Sequence, residues 1–432
     1  MKGKPPIYIE KVNEPTPVIT IGLNLNDPHF DYSMQELNAL AQANDMDVKA
    51  TESQTIDHPF AGTYFGPGKA AALRDLALQD QVKTIISNDE LTPSQIRNLE
   101  KITGCNIIDR TGLILEIFAH RARTKEAKLQ IRLAQLKYQL PRLRTSASIR
   151  LDQQTGTGGG SYTNRGSGET LIEMERRTVM HRIYNLRHHL KAVAKTKATQ
   201  TQRRQDNFLP NIALVGYTNA GKSTLMNAFL KRFSAQHGKL VGEKNMLFAT
   251  LSTKVRKIQL PEHRDFMLSD TVGFVSKLPH ELIKAFQSTL SEAAHADLLL
   301  QVVDASATQR QLMMQTTQDT LERIGIKNIP MITILNKADQ TDMPYPEQTG
   351  NTIVMSAKDP KSLDALVKMI NNFLQARYVT QTYLIPYQDG RVVEEFNQKA
   401  HVIQTKYQAN GTLIKVSLPK VMAPRYQKYL NK

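Results

Sequence analysis

Asn211-Ile212-Ala213-Leu214-Val215-Gly216-Tyr217-Thr218-Asn219-Ala220-Gly221-Lys222-Ser223-Thr224 is the stretch on which the fold turns. Ile212 to Val215 form a short apolar run, too brief for a buried helix and suited to a strand inside a sheet. The run enters a loop with glycines at 216 and 221 followed at once by Lys222 and Ser223, and Leu225 to Lys231 continue it as a helix. Strand, glycine loop and helix in this order form the setting of a phosphate-binding loop. Backbone N–H groups of the loop and the positive end of the helix cradle phosphate oxygens, Lys222 reaches the β and γ oxygens, and Ser223 offers a hydroxyl to Mg²⁺.

Three further segments follow, each after a β-like run. Asp270-Thr271-Val272-Gly273 supplies a carboxylate for Mg²⁺ and a glycine N–H that can sense a γ-phosphate. Asn336-Lys337-Ala338-Asp339 places a carboxylate where it can accept from the N1–H and exocyclic amine of guanine; adenine offers neither donor there. Ser356-Ala357-Lys358 closes the base pocket from behind. Guanine nucleotide, GTP or GDP, is the expected ligand. Phe248-Ala249-Thr250 precedes the second segment and contributes a switch threonine: Thr250 is the expected Mg²⁺ ligand beside Ser223 and Asp270, with Thr253 as the fallback. Lys222, Asn219, Thr250 and Gly273 are the residues expected to act on the transferred phosphoryl group. After Gly273 comes Phe274, whose ring cannot orient a water molecule; a K⁺ ion held near the Asn219 side chain, or a partner, is expected to raise an otherwise slow hydrolysis.

The rest of the 432-residue chain is too long for one core, and four regions can be separated. Residues 1–110 alternate short β-branched runs (Val18 to Leu23, Val82 to Ser87) with helical stretches (Ser33 to Asn44, Pro93 to Thr103), the pattern of a small parallel α/β unit. Gly62 to Lys69 within it lacks the spacing of a phosphate loop and is expected to be a tight turn rather than a second nucleotide site. Residues 111–206 carry two apolar seams, Leu129, Leu133, Leu136, Leu140 and Val179, Ile183, Leu186, Leu190, Val193, which predict an antiparallel coiled-coil hairpin. Residues 209–377 hold the nucleotide motifs, and 380–432 form a short α/β appendage with strands at Tyr383 to Tyr387 and Thr412 to Leu418.

The formal charge of +16 favours a phosphate-rich partner. It concentrates on the hairpin: Thr178 to Gln205 contain no acidic residue. Arg182, Arg187 and Lys191 there, with Arg142, Arg144, Arg150 and Arg165 around the glycine-rich connection 141–168, are the expected RNA contacts. Cys105 is the sole cysteine, which excludes an internal disulfide. No apolar run approaches the roughly 18 residues needed to cross a bilayer, so the cytoplasm is the expected location, and a monomer in solution is expected separately.

Further segments carry a family resemblance. Gly62-Thr-Tyr-Phe-Gly-Pro-Gly-Lys69, Ile108-Asp-Arg-Thr-Gly-Leu-Ile-Leu115, Arg121-Ala-Arg-Thr-Lys-Glu126, Leu133-Ala-Gln-Leu-Lys-Tyr138 with Pro141-Arg-Leu143, Asp270 to His280, and Ala296-Asp-Leu-Leu-Leu300 with Val302-Val-Asp-Ala-Ser306 are similar to signatures of the HflX family of ribosome-associated GTPases. The resemblance covers most of the chain from about 60 to 375. It implies an N-terminal α/β subdomain with a helical hairpin ahead of the G domain. It also implies binding to the large ribosomal subunit and its RNA, the hairpin loop near the peptidyl-transferase centre, and GTP-dependent splitting or rescue of stalled ribosomes. Two departures stand out: the family usually has a proline near Ser167 and an Asp near Glu175, and Leu-Asp-Pro-Thr where this chain has Leu251-Ser-Thr253. The first is what a divergent or antibiotic-protective paralogue would carry. A large-subunit assembly GTPase and an RNA-binding module that senses nucleotide with little turnover are the alternative readings.

Overall fold

The computed structural model describes residues 14–143, 164–205, 209–233, 247–248, 253–260, 265–279, 282, 291–420 and 422–431; within these, the side chains of 164–172, 194–205, 291 and 399 are excluded. Thr250, Ala249, Arg144 and Arg150 lie outside the described residues, as does the side chain of Arg165. The chain divides into two compact units, one of Met1–Ile117 with Tyr138–Arg177 and one of Phe118–Lys137 with Thr178–Lys432.

The first unit is built on a parallel sheet of β1 (Thr16–Asn24), β2 (Met46–Thr55), β3 (Thr84–Ser87) and β4 (Asn106–Asp109), in the order β2-β1-β3-β4. Helices α1 (Phe30–Gln42), α2 (Pro67–Gln79) and α3 (Pro93–Thr103) connect the strands. The start of α3 is fixed locally: Thr92 and Gln95 form a reciprocal capping box, Pro93 occupies the first turn, and Gly104 ends the helix at φ 71°. Ile19, Ile21, Phe65, Leu73, Ile85 and Leu99 share its core. Phe60 pairs with Tyr64 and Gly66 is the N-cap of α2, so the tight turn expected over 62–69 ends at Gly66, and Pro67 to Lys69 are the first turn of the helix. The sequence reading missed β2. It is an edge strand without one buried residue, so no apolar run marks it.

Helices α4 (Arg110–Arg121), α5 (Lys125–Gln139) and α6 (Asn164–Gln205) make up the middle of the chain. The 42 residues of α6 give it a length of about 60 Å. On α5 the buried stripe is Ala127, Gln130, Ile131, Ala134 and Leu136. Of the anticipated leucine seam only Leu136 is buried; Leu129, Leu133 and Leu140 are half-buried. Small alanines can be buried as completely as leucines while giving a weaker periodic signal, which is why the seam was drawn to one side of the true face.

The second unit contains a seven-stranded sheet of β5 (Asn211–Gly216), β6 (Lys254–Ile258), β7 (Phe266–Asp270), β8 (Leu298–Asp304), β9 (Met331–Asn336), β10 (Glu347–Thr349) and β11 (Thr352–Val354), in the order β10-β11-β9-β8-β5-β7-β6. Its five inner strands are parallel and the outer β6 and β10 are antiparallel. Around it lie α7 (Lys222–Phe233), α8 (Arg310–Arg323) and α9 (Pro360–Arg377). Leu214, Leu225, Phe229, Phe266, Leu300, Ile334 and Leu366 belong to one buried core. At the C-terminus, β12 (Tyr378–Ile385), α10 (Gly390–Lys399), β13 (His401–Gln408) and β14 (Gly411–Pro419) form an antiparallel sheet in the order β12-β14-β13 with its own core around Tyr383, Phe396 and Tyr426. Tyr387 falls outside the strand expected for it, because the chain turns at Pro386 into a short 3-10 helix. No helix among the described residues is long and apolar enough to cross a membrane.

Candidate functional site

The four nucleotide motifs emerge together at the carboxyl ends of β5, β7, β9 and β11, the edge where parallel α/β sheets place ligands. Gly216 ends β5 at φ 140°, and a Cβ there would run into the Val302 carbonyl oxygen of the adjacent strand. Gly221, at φ 94°, lies against the Asn336 side-chain amide. Neither position admits a side chain, so the spacing of the loop is a steric requirement. Between them Asn219 adopts φ 61° and stays exposed, while Ala220 is buried.

Lys222 is 6% exposed and donates to the carbonyls of Gly216 at 3.0 Å and Tyr217 at 2.6 Å. Burial pulls its ammonium down to about 8, and Asp270 opposes that shift. The lysine is therefore tied back to its own loop, and anionic oxygens arriving there would hold its proton more firmly. Ser223 Oγ donates to Asp270 Oδ2 at 2.7 Å, and the Asp270 side chain is fully buried. A hydroxyl and a carboxylate meeting beside a phosphate loop make an all-oxygen donor pair, which fits Mg²⁺, an ion commonly bound through one or two protein ligands plus phosphate.

Thr271 turns its hydroxyl to the Leu214 carbonyl at 2.6 Å, pinning the second motif to β5. Beyond Gly273 the chain pairs with the phosphate loop: Phe274 N–H donates to Gly216 O at 3.1 Å, Thr218 N–H donates to Phe274 O at 2.8 Å, and Ser276 N–H donates to the Tyr217 hydroxyl at 2.6 Å. The Phe274 ring is buried, so its backbone is what faces the loop. Val272 is likewise buried.

In the base pocket, Asn336 links two motifs: its amide nitrogen donates to the Ala220 carbonyl at 2.9 Å and its oxygen accepts the Ala357 N–H at 2.9 Å. Asp339 accepts from Ser356 Oγ at 2.7 Å and from Lys358 Nζ at 3.2 Å. The Ser356 hydroxyl, with help from Lys358, holds the Asp339 carboxyl below its usual range, so it is ionised and acceptor-only at neutral pH. Lys358 N–H also donates to Ser356 Oγ at 3.3 Å. Lys337, at φ 63°, pairs with Asp304 at 2.6 Å; Ala338 is buried beneath. In the sequence Asp304 stands out only within the Val302 to Ser306 family segment, with no role at the site; its place at the end of β8 marks it as a residue of this edge.

Arg142, expected to reach RNA, is occupied internally: its guanidinium pairs with the buried Asp109 at 2.8 Å and lies 3.5 Å from the Tyr138 ring centroid. Arg182, Arg187 and Lys191 are exposed on α6, while Val179 and Ile183 are buried.

A glycine loop ending in Lys222 and Ser223, the Ser223–Asp270 oxygen pair and the Asp339 pocket on one edge of a parallel sheet have the arrangement of a P-loop GTPase. Family models agree along the chain: "GTP-binding GTPase N-terminal" matches residues 31–119, "GTP-binding GTPase Middle Region" residues 121–204 and "50S ribosome-binding GTPase" residues 211–337. GTPase HflX of Caldanaerobacter subterraneus subsp. tengcongensis is 37% identical over 406 residues, covering 94% of this chain and 92% of that protein. GTPase HflX of Alkalihalophilus pseudofirmus is 38% identical over 388 residues, covering 89% of each. The chain belongs to the HflX family of GTPases. Among solved structures, a GTP-binding protein from Sulfolobus solfataricus in complex with GDP aligns at 24% identity with a TM-score of 0.45, covering 84% of this chain and 99% of that one.

Proposed function

We propose that this GTPase binds the large ribosomal subunit through RNA and uses the GTP-bound state to dissociate or rescue stalled ribosomes, hydrolysis resetting it. The observation that carries the reading is the joining, in one chain, of a guanine-nucleotide site with a long helix whose exposed face is cationic: from Thr178 to Gln205 there is no carboxylate to neutralise Arg182, Arg187 and Lys191. Such a face favours a polyanion, and the family models include one described as a 50S ribosome-binding GTPase.

At the site, Ser223 and Asp270 would hold Mg²⁺, which when bound neutralises charge on the β and γ phosphates. Lys222 leaves the Gly216 and Tyr217 carbonyls for phosphate oxygens. Gly273 packs closely against Thr218 and Lys222, and its N–H would report on the γ-phosphate. Asp339 accepts two hydrogen bonds from guanine while Ser356 and Lys358 fix its orientation. No side chain of Phe274 reaches the attacking water, so acceleration falls to Thr250, to a K⁺ ion at the exposed Asn219, or to the ribosome.

The test is sedimentation of intact ribosomes with the protein and a non-hydrolysable GTP analogue. Separated subunits are expected, and an unchanged profile of joined particles overturns the splitting role. Ribosome-stimulated GTP turnover is the companion measurement, since a pure nucleotide sensor would show none.

A further inference from the structure

We infer a second RNA-backbone contact on α5, separate from the cations of α6 and from the 141–168 connection. A groove of about 620 Å³ is lined by Arg123, Lys125, Lys128, Leu129, Arg132 and Leu186. Four of its six lining residues are cations and none is an anion. All four cations are exposed, and Leu129 and Leu186 are half-buried. Among the described residues none of the four forms an ion pair; Arg132 makes a long hydrogen bond of 3.4 Å to Gln135. The nearest acidic residue in sequence, Glu126, accepts from Gln130 instead.

The arrangement is ordered by the helix. Lys125, Lys128 and Arg132 recur at steps of three and four residues, so they stand in one row along about 10 Å of α5, and Arg123 extends the row beyond its N-terminus. Clustered like charges repel one another unless an anion meets them. A row of cations beside a shallow apolar floor meets a chain of regularly spaced phosphates at several points at once.

The chemistry favours RNA over an acidic protein. Protein interfaces are built on aromatic anchors in a core depleted of charge, lysine above all, and this groove has two lysines and no aromatic residue. Two lysines and two arginines answer first to phosphates, and no carboxylate or amide joins them to read cytosine or adenine, so the contact is to the sugar–phosphate backbone. As part of ribosome docking the inference rests on the function proposed above; as RNA binding it stands alone.

The experiment compares the full chain with Lys125→Gln/Lys128→Gln/Arg132→Gln, glutamine being nearly as good a helix former as the residues it replaces. Binding of a short fluorescein-labelled RNA duplex is titrated across a range of KCl concentrations, with GDP affinity as the folding control. Each lost phosphate contact should reduce the slope of log affinity against log salt by roughly 0.9, so the triple variant should lose about 2 to 3 from that slope and about 10- to 100-fold in affinity at low salt. An unchanged slope in a variant that binds GDP normally overturns the inference, as does a wild-type chain that ignores the duplex. Equal loss of binding to poly-glutamate, with RNA binding intact, would assign the groove to an acidic protein. If wild-type protein leaves ribosomes joined yet the variant still loses duplex affinity, the ribosome reading fails and the groove survives.

Discussion

Phe248 sets its ring edge-on against Phe118, with 4.5 Å between centroids and 72° between ring planes. Both rings are buried, and the Arg121 guanidinium donates to the carbonyl of the neighbouring Leu247. The Phe248 backbone is at φ 56°, a left-handed conformation that costs a non-glycine residue about 1–2 kcal/mol. Burial of the ring and the Arg121 hydrogen bond offset that cost. Phe118 and Arg121 close α4, on the approach to α5, whereas Phe248 lies two residues before Thr250. Leu247 and Phe248, which precede the expected switch threonine in sequence, are thus fastened to the end of α4.

If the two rings act as one contact, their removal should not be additive. Phe118→Ala and Phe248→Ala should each destabilise by about 3–5 kcal/mol through cavity formation, and the double variant should cost less than the sum by about 0.5–1.5 kcal/mol. Urea unfolding of the four proteins of the cycle measures the coupling. Strict additivity would mean that the rings are neighbours without being partners.

Asp339 predicts a change of base. Replacing its carboxylate with an amide in Asp339→Asn exchanges one acceptor for a donor. The two charge-assisted hydrogen bonds to guanine contribute about 1.5–3 kcal/mol each, so GDP affinity should fall about a hundredfold or more. Xanthine carries an oxygen where guanine has its 2-amino group, and xanthosine diphosphate should recover much of the loss. Calorimetry with both nucleotides checks the pair of outcomes; GDP bound as before would remove Asp339 from base recognition.

Lys222 makes nucleotide binding sensitive to pH. Its ammonium titrates at about 8 in the free protein, below the ordinary lysine value, because it is buried. Phosphate oxygens raise that value in the complex, so the bound state keeps a proton which the free state loses as pH rises through 8. Affinity should therefore fall with increasing pH from about 8 upward, and binding near pH 8 should take up a fraction of a proton. For the unliganded protein the sign is opposite: the folded state binds fewer protons than the unfolded one between about 8 and 10.5, so this residue's contribution to stability improves as pH rises. Calorimetry in two buffers of different ionisation enthalpy reads the proton uptake directly, and zero uptake would contradict the buried, depressed lysine.

Why some of this was legible in the sequence and some was not has a physical basis. The phosphate loop and base pocket depend on residues at fixed short spacings at the ends of apolar strands, so Gly216, Lys222, Asp270 and Asp339 announce themselves locally. Strands β2 and β13 carry no apolar run because they are polar edge strands without a buried residue, β2 alternating half-buried with exposed positions and β13 exposed on most. The Phe118–Phe248 contact joins residues more than a hundred positions apart, and each looks like any core aromatic. Arg142 misled for a related reason: charge invites an RNA reading, and only the fold brings Asp109 and Tyr138 beside it.

Gly273 separates two kinds of glycine. A Cβ at Gly221 would collide with the Asn336 amide on a backbone at φ 94°, so Gly221→Ala should disrupt the loop and lose GDP and GTP alike. Gly273 has no such backbone restriction, yet its Cβ would stand 2.8 Å from the Thr218 Cα and 3.0 Å from Lys222 Nζ. Alanine there must push the segment away from the phosphate loop, lengthening the pairings of Phe274 with Gly216 and Thr218. The guanine pocket lies away from that movement, whereas the γ-phosphate contact expected of the Gly273 N–H is withdrawn. Gly273→Ala should accordingly hold GDP with nearly wild-type affinity while losing preference for a GTP analogue, and hydrogen exchange at residues 274–276 should cease to respond to the third phosphate. A variant whose GTP-to-GDP affinity ratio and exchange pattern match the wild type would show that Gly273 is spaced for packing alone.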